Sequence, residues 1–314
     1  MYRPKDFIQT TEGLIFAIVA ENTENGYIRA FLRYVCLKGS WRKLSTEQAN
    51  AFLAEHYPQY LFYSKQLDAH LHAVLQEAVT GHFSPKARLQ YLLQNQPADP
   101  VCADFLQLCS LLAAEGIVFD QIGITGSLLI GLQNSQSDID LVCYDRQVFH
   151  GLRLRVKDLI RRKLLNEPTQ QAWQDAYLRR NCSDLDLNEY IAHERLKHNK
   201  AIINQRKFDI SLLANDRPVT GKTFNKLGAA CIEAEVTDDQ YAFDYPAEFK
   251  IDHPEIGSVV SFTATYSGQA QTGDMIRVAG FVEADQQGVK RLVVGYDRES
   301  PGQYIKCIER KPSG

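Results

Sequence analysis

The stretch GITGSLLIGLQNSQSDIDLVCY, residues 123–144, constrains the fold more than any other part of the chain. A short apolar strand runs into Gly126-Ser127, followed by a helical segment (SLLIGLQ), a polar turn and a second strand over 138–144 whose residues alternate. Asp138 and Asp140 lie two apart in that strand, so both carboxylates leave one face while Ile139 and Leu141 point toward a core. Clustered carboxylates repel each other and are costly to keep ionised without a cation. Oxygen-only ligands suit Mg²⁺ or Mn²⁺. Eleven residues upstream, Gly126 allows close backbone approach and the following helix start offers free N–H groups to an anion, with the Ser127 hydroxyl beside them. The pattern predicts a site that grips a nucleoside triphosphate through its phosphates and its metal.

A near-copy, SDLDL, occupies 183–187 but has no glycine turn upstream and no alternation downstream. Ser183 with Asp186 matches a helix-start pattern, which places Asp184 and Asp186 in a first turn where the macrodipole favours them. The second pair is expected to cap a helix.

The rest of the chain frames this segment. LIFAIVA and YIRAFLRYV read as strands around the Asn25-Gly26 turn, and Ser45 with Gln48 forms a capping box. Leu67, Leu71, Val74, Leu75 and Ala78 carry helical spacing, which turns His70 and His72 to different sides as surface residues. Ser84-Pro85 and Asp99-Pro100 each open a helix. Basic helical stretches follow over 148–165, 170–180 and 184–200, then a strand, KFDISLL (207–213). Seams at 95–100 and 215–222 divide the chain into a β-hairpin plus helical module (1–97), a core (98–217) and a β-rich domain (218–314). In the last, Gly280 within a β-run suits the bent strands of a small barrel such as an OB-fold.

Composition narrows the class. The 314 residues carry a net charge of -3, which predicts no general attraction to nucleic acid or to an anionic membrane. No apolar run is long enough to cross a bilayer, and no signal-peptide stretch opens the chain. Seven cysteines without a CxxC pair favour free thiols in a cytoplasmic setting.

The combination Gly126-Ser127, a short helix, then Ser137-Asp138-Ile139-Asp140-Leu141 resembles the polymerase-β-like nucleotidyltransferase superfamily, and the wider layout resembles uncharacterised prokaryotic predicted nucleotidyltransferases. The resemblance implies an α+β fold: a central mixed sheet with helices, flanked by the N-terminal module and the C-terminal β domain. It implies that Gly126 and Ser127, assisted by Ser137, bind the β/γ-phosphates, and that Asp138 and Asp140 hold the divalent ions. A third carboxylate on a later strand is implied as well, and Asp209 fits it by type and position, with Asp186 and Glu194 next in line. The implied reaction moves a nucleoside monophosphate from an NTP to a hydroxyl and releases pyrophosphate. A non-catalytic nucleotide-sensing or nucleic-acid-binding module on the same fold is the alternative.

Other residues invite weaker readings. His193 and His198 stand one residue too far apart for a zincin helix. Arg195, Lys197 and Lys200 suit triphosphate or nucleic-acid phosphates, Lys200 being the one assigned to the nucleotide, or else form a solvated helix face. Nucleic acid is a conceivable partner through the β-rich ends: Arg33, Lys38, Trp41, Arg42 and Lys43 at the front, and Tyr266, Arg277, Lys290, Arg291, Tyr296 and Arg298 at the back.

Overall fold

The computed structural model describes residues 2–65, 69–180, 184–214, 216, 223–295 and 302–311. Among the described residues the chain is α+β, with three sheets and seven α-helices. It divides into two compact units, 1–144 with 202–210, and 145–201 with 211–314.

The first unit opens with strands β1 (Phe7–Thr10), β2 (Ile15–Glu24), β3 (Tyr27–Leu37) and β4 (Ser40–Lys43), helix α1 (Thr46–His56), then β5 (Leu61–Ser64), β6 (Ala69–Leu75) and β7 (Val79–Phe83). These strands form one sheet in the order β5-β6-β3-β2-β1-β7, with β4 hydrogen-bonded to β3. The β2–β3 hairpin turns at Asn25-Gly26, both with positive φ, as the dipeptide predicts. Ser45 and Gln48 close the predicted capping box on α1.

The helix expected around 71–78 is instead strand β6, paired with β3; Leu67 lies outside the described residues. Leu71 and Leu75 are four apart, a spacing that satisfies a strand's period as well as a helix's. His72 is accordingly a buried core residue. Its Nδ1 accepts from the Leu32 N–H (2.9 Å), its Nε2 lies 2.7 Å from Asn50 Oδ1, and burial pushes it down to about 4.

Helices α2 (Pro85–Gln94) and α3 (Pro100–Ala114) begin at the two predicted Pro positions, α3 with Asp99 accepting from the Cys102 N–H at 2.9 Å. The face of α3 carrying Phe105, Leu108, Cys109 and Leu112 is fully buried, each of its large apolar side chains contributing roughly 1.5–3 kcal/mol. Then come β8 (Ile122–Thr125), the one-turn helix α4 (Gly126–Leu129) and β9 (Ile139–Cys143). With β10 (Lys200–Ile203) and β11 (Arg206–Leu212) they make a four-stranded sheet in the order β10-β11-β9-β8, in which β8 and β9 are antiparallel.

The N-terminal module and the expected core strands share this one unit, so the seam drawn near 97 is not a boundary between compact bodies. Tight packing explains why. An added Cβ at Gly123 on β8 would come within 2.6 Å of Pro85 Cβ on α2, and Arg88 Nε and Lys86 Nζ donate to Leu128 O and Gln121 Oε1 (both 2.9 Å).

The second unit contains α5 (Arg146–Arg161), α6 (Gln170–Arg180), α7 (Leu187–Lys197) and strands β12 (Phe224–Asp238), β13 (Ala247–Asp252), β14 (Ile256–Ser261), β15 (Met275–Asp285), β16 (Lys290–Val294) and β17 (Tyr304–Glu309). The strand order is β12-β13-β14-β16-β15, with β15 pairing back onto β12 and carrying β17. This path closes a five-stranded ring in which only β14 and β16 run parallel. Its interior is filled by Val236, Phe249, Val259, Ile276, Val278 and Leu292, among others. Gly280 lies on β15 beside its antiparallel partner β16, where an added Cβ would come within 2.3 Å of the Val293 carbonyl oxygen.

No helix among the described residues is long and apolar enough to cross a membrane. Gly123→Ala is expected to force α2 off β8 and cost about 1–3 kcal/mol, read as a lower urea midpoint with an unchanged slope.

Candidate active site

The site grows from the end of β8, whose four residues are all buried. After Thr125 the chain turns at Gly126 with φ +68, a conformation that disfavours side chains. An added Cβ there would collide with Asp140 Oδ2, so the Asp140 carboxylate rests directly against the glycine turn. The β8–β9 register sets Asp140 opposite Thr125, while Ile139 and Leu141 are sealed in the core. Asp138 precedes β9 by one residue.

Asp138 is placed by the loop before it. The Ser137 hydroxyl accepts from the Asn134 N–H (3.0 Å), and Asn134 Oδ1 accepts from the Gln136 N–H (2.9 Å). Arg206 on β11 clamps this loop, donating to Ser137 O (2.6 Å) and Ser135 O (3.1 Å) while its Nε binds Asp104 of α3 at 2.7 Å. Ser137 therefore has a structural task in its own loop. Ser127 is the second residue of α4, and its carbonyl accepts from the Leu132 N–H.

Asp209 lies on β11, the strand beside β9, and Lys207 shares its face two residues earlier. The Lys207 ammonium stands 3.0 Å from Asp209 Oδ2 and 3.6 Å from Asp138 Oδ2. Burial and then the charges of Asp209 and Asp138 raise Asp140 to about 6, against the pull of Lys5 and Lys207. Burial pulls Lys207 down, yet Asp209 and Asp138 outweigh it and hold the ammonium above its ordinary range. Lys5 reaches the site from the N-terminal turn, where its backbone has φ 74 and its carbonyl accepts from Thr125 Oγ1 at 2.8 Å.

Asp138, Asp140 and Asp209 are thus brought together beside Gly126 and Ser127. Sequence reasoning missed Lys207, Lys5 and Arg206. The same period-two argument that grouped Asp138 with Asp140 could have found Lys207 from Asp209.

Among the described residues, no group of three or more His, Cys, Asp or Glu is already drawn to metal-holding spacing. The three aspartate side chains offer oxygen ligands only, the type that suits Mg²⁺ or Mn²⁺, and a cationic ammonium already lies by two of them.

The remaining candidates lie in the second unit and are engaged there. Lys200 pairs with Glu194, which also accepts from Lys197 at 2.5 Å, and Lys197 donates to Thr265 O at 2.7 Å. Asp186 caps α7 through the Glu189 N–H (2.9 Å), in a capping box with Glu189. The second aspartate pair thus marks a helix start, though Ser183 is outside the described residues. His193 is buried, lies 2.7 Å from Arg310 Nη2, and is pushed down to about 3, first by burial and then by Arg310.

The basic surface expected on the β domain is largely neutralised. Arg277 pairs with Glu233 (2.7 Å), Lys290 with Glu255 (2.5 Å) and Arg291 with Glu283 (2.8 Å), while Tyr266 is buried rather than exposed. Tyr296 and Arg298 lie outside the described residues. At the front, Trp41, Arg42 and Lys43 are exposed on β4, beyond the Lys38-Gly39 turn.

Two outcomes follow from this geometry. For a divalent ion held on these carboxylates, Gly126→Ala should displace Asp140 and weaken Mn²⁺ binding about tenfold or more, since charge-assisted contacts are worth about 1.5–3 kcal/mol, as read by titration calorimetry. Because Asp140 takes up a proton as pH falls through about 6, Mn²⁺ affinity should be level above that pH. Below it, affinity should drop by about tenfold per unit, the proton and the metal competing for one carboxylate.

No protein-family model and no solved structure matches the chain. It is 32% identical over 334 aligned residues to the uncharacterized protein MJ1086 of Methanocaldococcus jannaschii, a match spanning 97% of this chain and 98% of the relative. Identity at that level along both whole chains places the protein in the family of MJ1086.

Proposed function

We propose that the protein is a metal-dependent nucleotidyltransferase that moves a nucleoside monophosphate from an NTP to a hydroxyl acceptor and releases pyrophosphate. One observation carries this reading: Asp140 on β9, Asp138 just before that strand and Asp209 on the neighbouring β11 come together by a glycine turn, and burial, then the charges of Asp209 and Asp138, raise Asp140 to about 6. Mutual repulsion of this kind weakens a fold unless a cation is to be held.

Asp138, Asp140 and Asp209 would hold Mg²⁺ or Mn²⁺, and bound ions of this type stabilise the attacking and leaving oxygens of an in-line displacement. The missing side chain at Gly126 makes room for the Asp140 carboxylate, and the backbone N–H groups that follow the turn, with the Ser127 hydroxyl, would donate to the phosphate oxygens. Asp209 orients the acceptor hydroxyl toward the α-phosphorus. A new oxygen–phosphorus bond forms there as the bond to pyrophosphate breaks, and the acceptor hydroxyl gives up its proton to the Asp209 carboxylate, which passes it to solvent.

The closed ring β12-β13-β14-β16-β15, with its parallel β14–β16 pair, supports assigning the C-terminal strands to an OB-type barrel. Its paired arginines and lysines favour a small acceptor over a nucleic-acid strand, because ion pairs must be broken before phosphates can be neutralised.

Calorimetric titration with each NTP and dNTP, with and without Mg²⁺, tests the proposal. Wild type should bind at least one in a Mg²⁺-dependent manner, and Asp138→Asn/Asp140→Asn should lose that binding while remaining folded. Binding that persists in the double variant, or no metal-dependent binding of any nucleotide, would overturn it. A raised carboxyl stabilises the fold below its unfolded value and loses that contribution as pH rises through about 6. Asp140→Asn alone should therefore raise the Tm of the metal-free protein at pH 8 more than at pH 5.

A further inference from the structure

We propose that Lys207 is the resident counter-ion of the metal-free carboxylate site and, once a divalent cation takes Asp138 and Asp209, the side chain that binds the triphosphate. The inference rests on the nucleotidyltransferase reading above and adds to it a residue that changes partners.

The argument starts from occupancy. The ammonium lies 3.0 Å from Asp209 and 3.6 Å from Asp138, on the oxygens a metal would need. A divalent ion and an ammonium cannot share those oxygens, since like charges at such separations repel strongly in a partly buried site. One of them must leave. Lys207 can, because its side chain is 20% exposed and ends a flexible four-carbon stem.

Lys197, in the same chain, shows what a fixed lysine looks like. It is 2% exposed and is held by both a carboxylate and a backbone carbonyl. Lys207 has instead been placed against the site's own acids. The displaced ammonium then meets the anionic oxygens that arrive with the metal, an exchange that keeps the local charge balanced at each stage. Lys5, already acting on Asp140 from the N-terminal turn, adds a second positive charge to the same surroundings.

The exchange makes a prediction that a structural lysine would not: removing the charge should move two affinities in opposite directions. The variants are Lys207→Met, Lys207→Arg and Asp138→Asn/Asp140→Asn, each in the full chain. The probes are Mn²⁺ alone, followed by free-ion paramagnetic resonance, and inorganic triphosphate with Mg²⁺, followed by calorimetry. Lys207→Met should bind Mn²⁺ about tenfold more tightly, having lost its competitor. It should bind Mg²⁺-triphosphate roughly 10- to 100-fold more weakly, the loss of one charge-assisted hydrogen bond.

Lys207→Arg keeps the charge and should stay close to wild type for both probes, which guards against misfolding as the cause. Both affinities falling together in Lys207→Met, or neither moving, would overturn the exchange while leaving the metal site intact, provided wild type binds Mn²⁺ and the double aspartate variant does not. Wild type failing to bind Mn²⁺ at all would overturn both the exchange and the reading beneath it.

Discussion

The packing of the Asp140 carboxylate against the Gly126 backbone is the contact on which the first unit's carboxylate cluster depends. It explains the glycine, since any side chain there would evict the carboxylate, and it explains the raised proton affinity, since the group is pressed into the protein beside two other acids. Each carboxylate alone would be unremarkable on a strand surface. Held on adjacent strands they form a concentration of negative charge that the fold must offset. It does so with Lys207 inside the cluster and Lys5 alongside.

Much of the surrounding structure serves to keep that arrangement in place. Arg206 ties the loop bearing Ser137 to Asp104 on α3, so the position of Asp138 is referred to a buried helix rather than to a surface turn. Thr125, the last residue before Gly126, donates its hydroxyl to the carbonyl of Lys5, which joins the N-terminal turn to the site. The N-terminal sheet is thus part of the same compact unit as the carboxylates. A site built on strands and braced by such contacts keeps its geometry better than one carried on loops.

The second unit handles buried charge in another way. Glu194 meets two lysines, Lys197 and Lys200, and Arg146 is held by Asp216 and Asp244 while lying over the Tyr241 ring. These groups are satisfied within the unit, unlike the mutually repelling acids of the first. Buried pairs of this sort are costly to break, because the remaining partner is left charged and desolvated. The contrast separates charges that hold a fold together from charges that a fold must restrain.

Local signals in the chain were enough for several elements, because their physics is local. Asn25-Gly26 can adopt the two positive φ angles of a tight hairpin, and Ser45 and Gln48 reach each other's backbone within one turn; strand periodicity holds for Asp140, while Asp138 lies one residue ahead of β9. Asp209 interrupts an apolar run, as the sequence shows, and the structure puts it on β11 beside β9. Tertiary structure alone decided what depended on a neighbour distant in sequence. Leu71 and Leu75 suit either period, and pairing with β3 made their segment a strand with His72 in the core. Gly123 owes its identity to Pro85 on another helix, and that packing lies within one compact unit containing residues on both sides of position 97. Lys200 and Lys207 are the same residue type seven positions apart, yet one answers a buried glutamate and the other sits among the site's carboxylates. A sequence states which charges a chain carries; only the folded chain decides which opposite charge each one meets, because that meeting is set by packing between segments far apart in sequence.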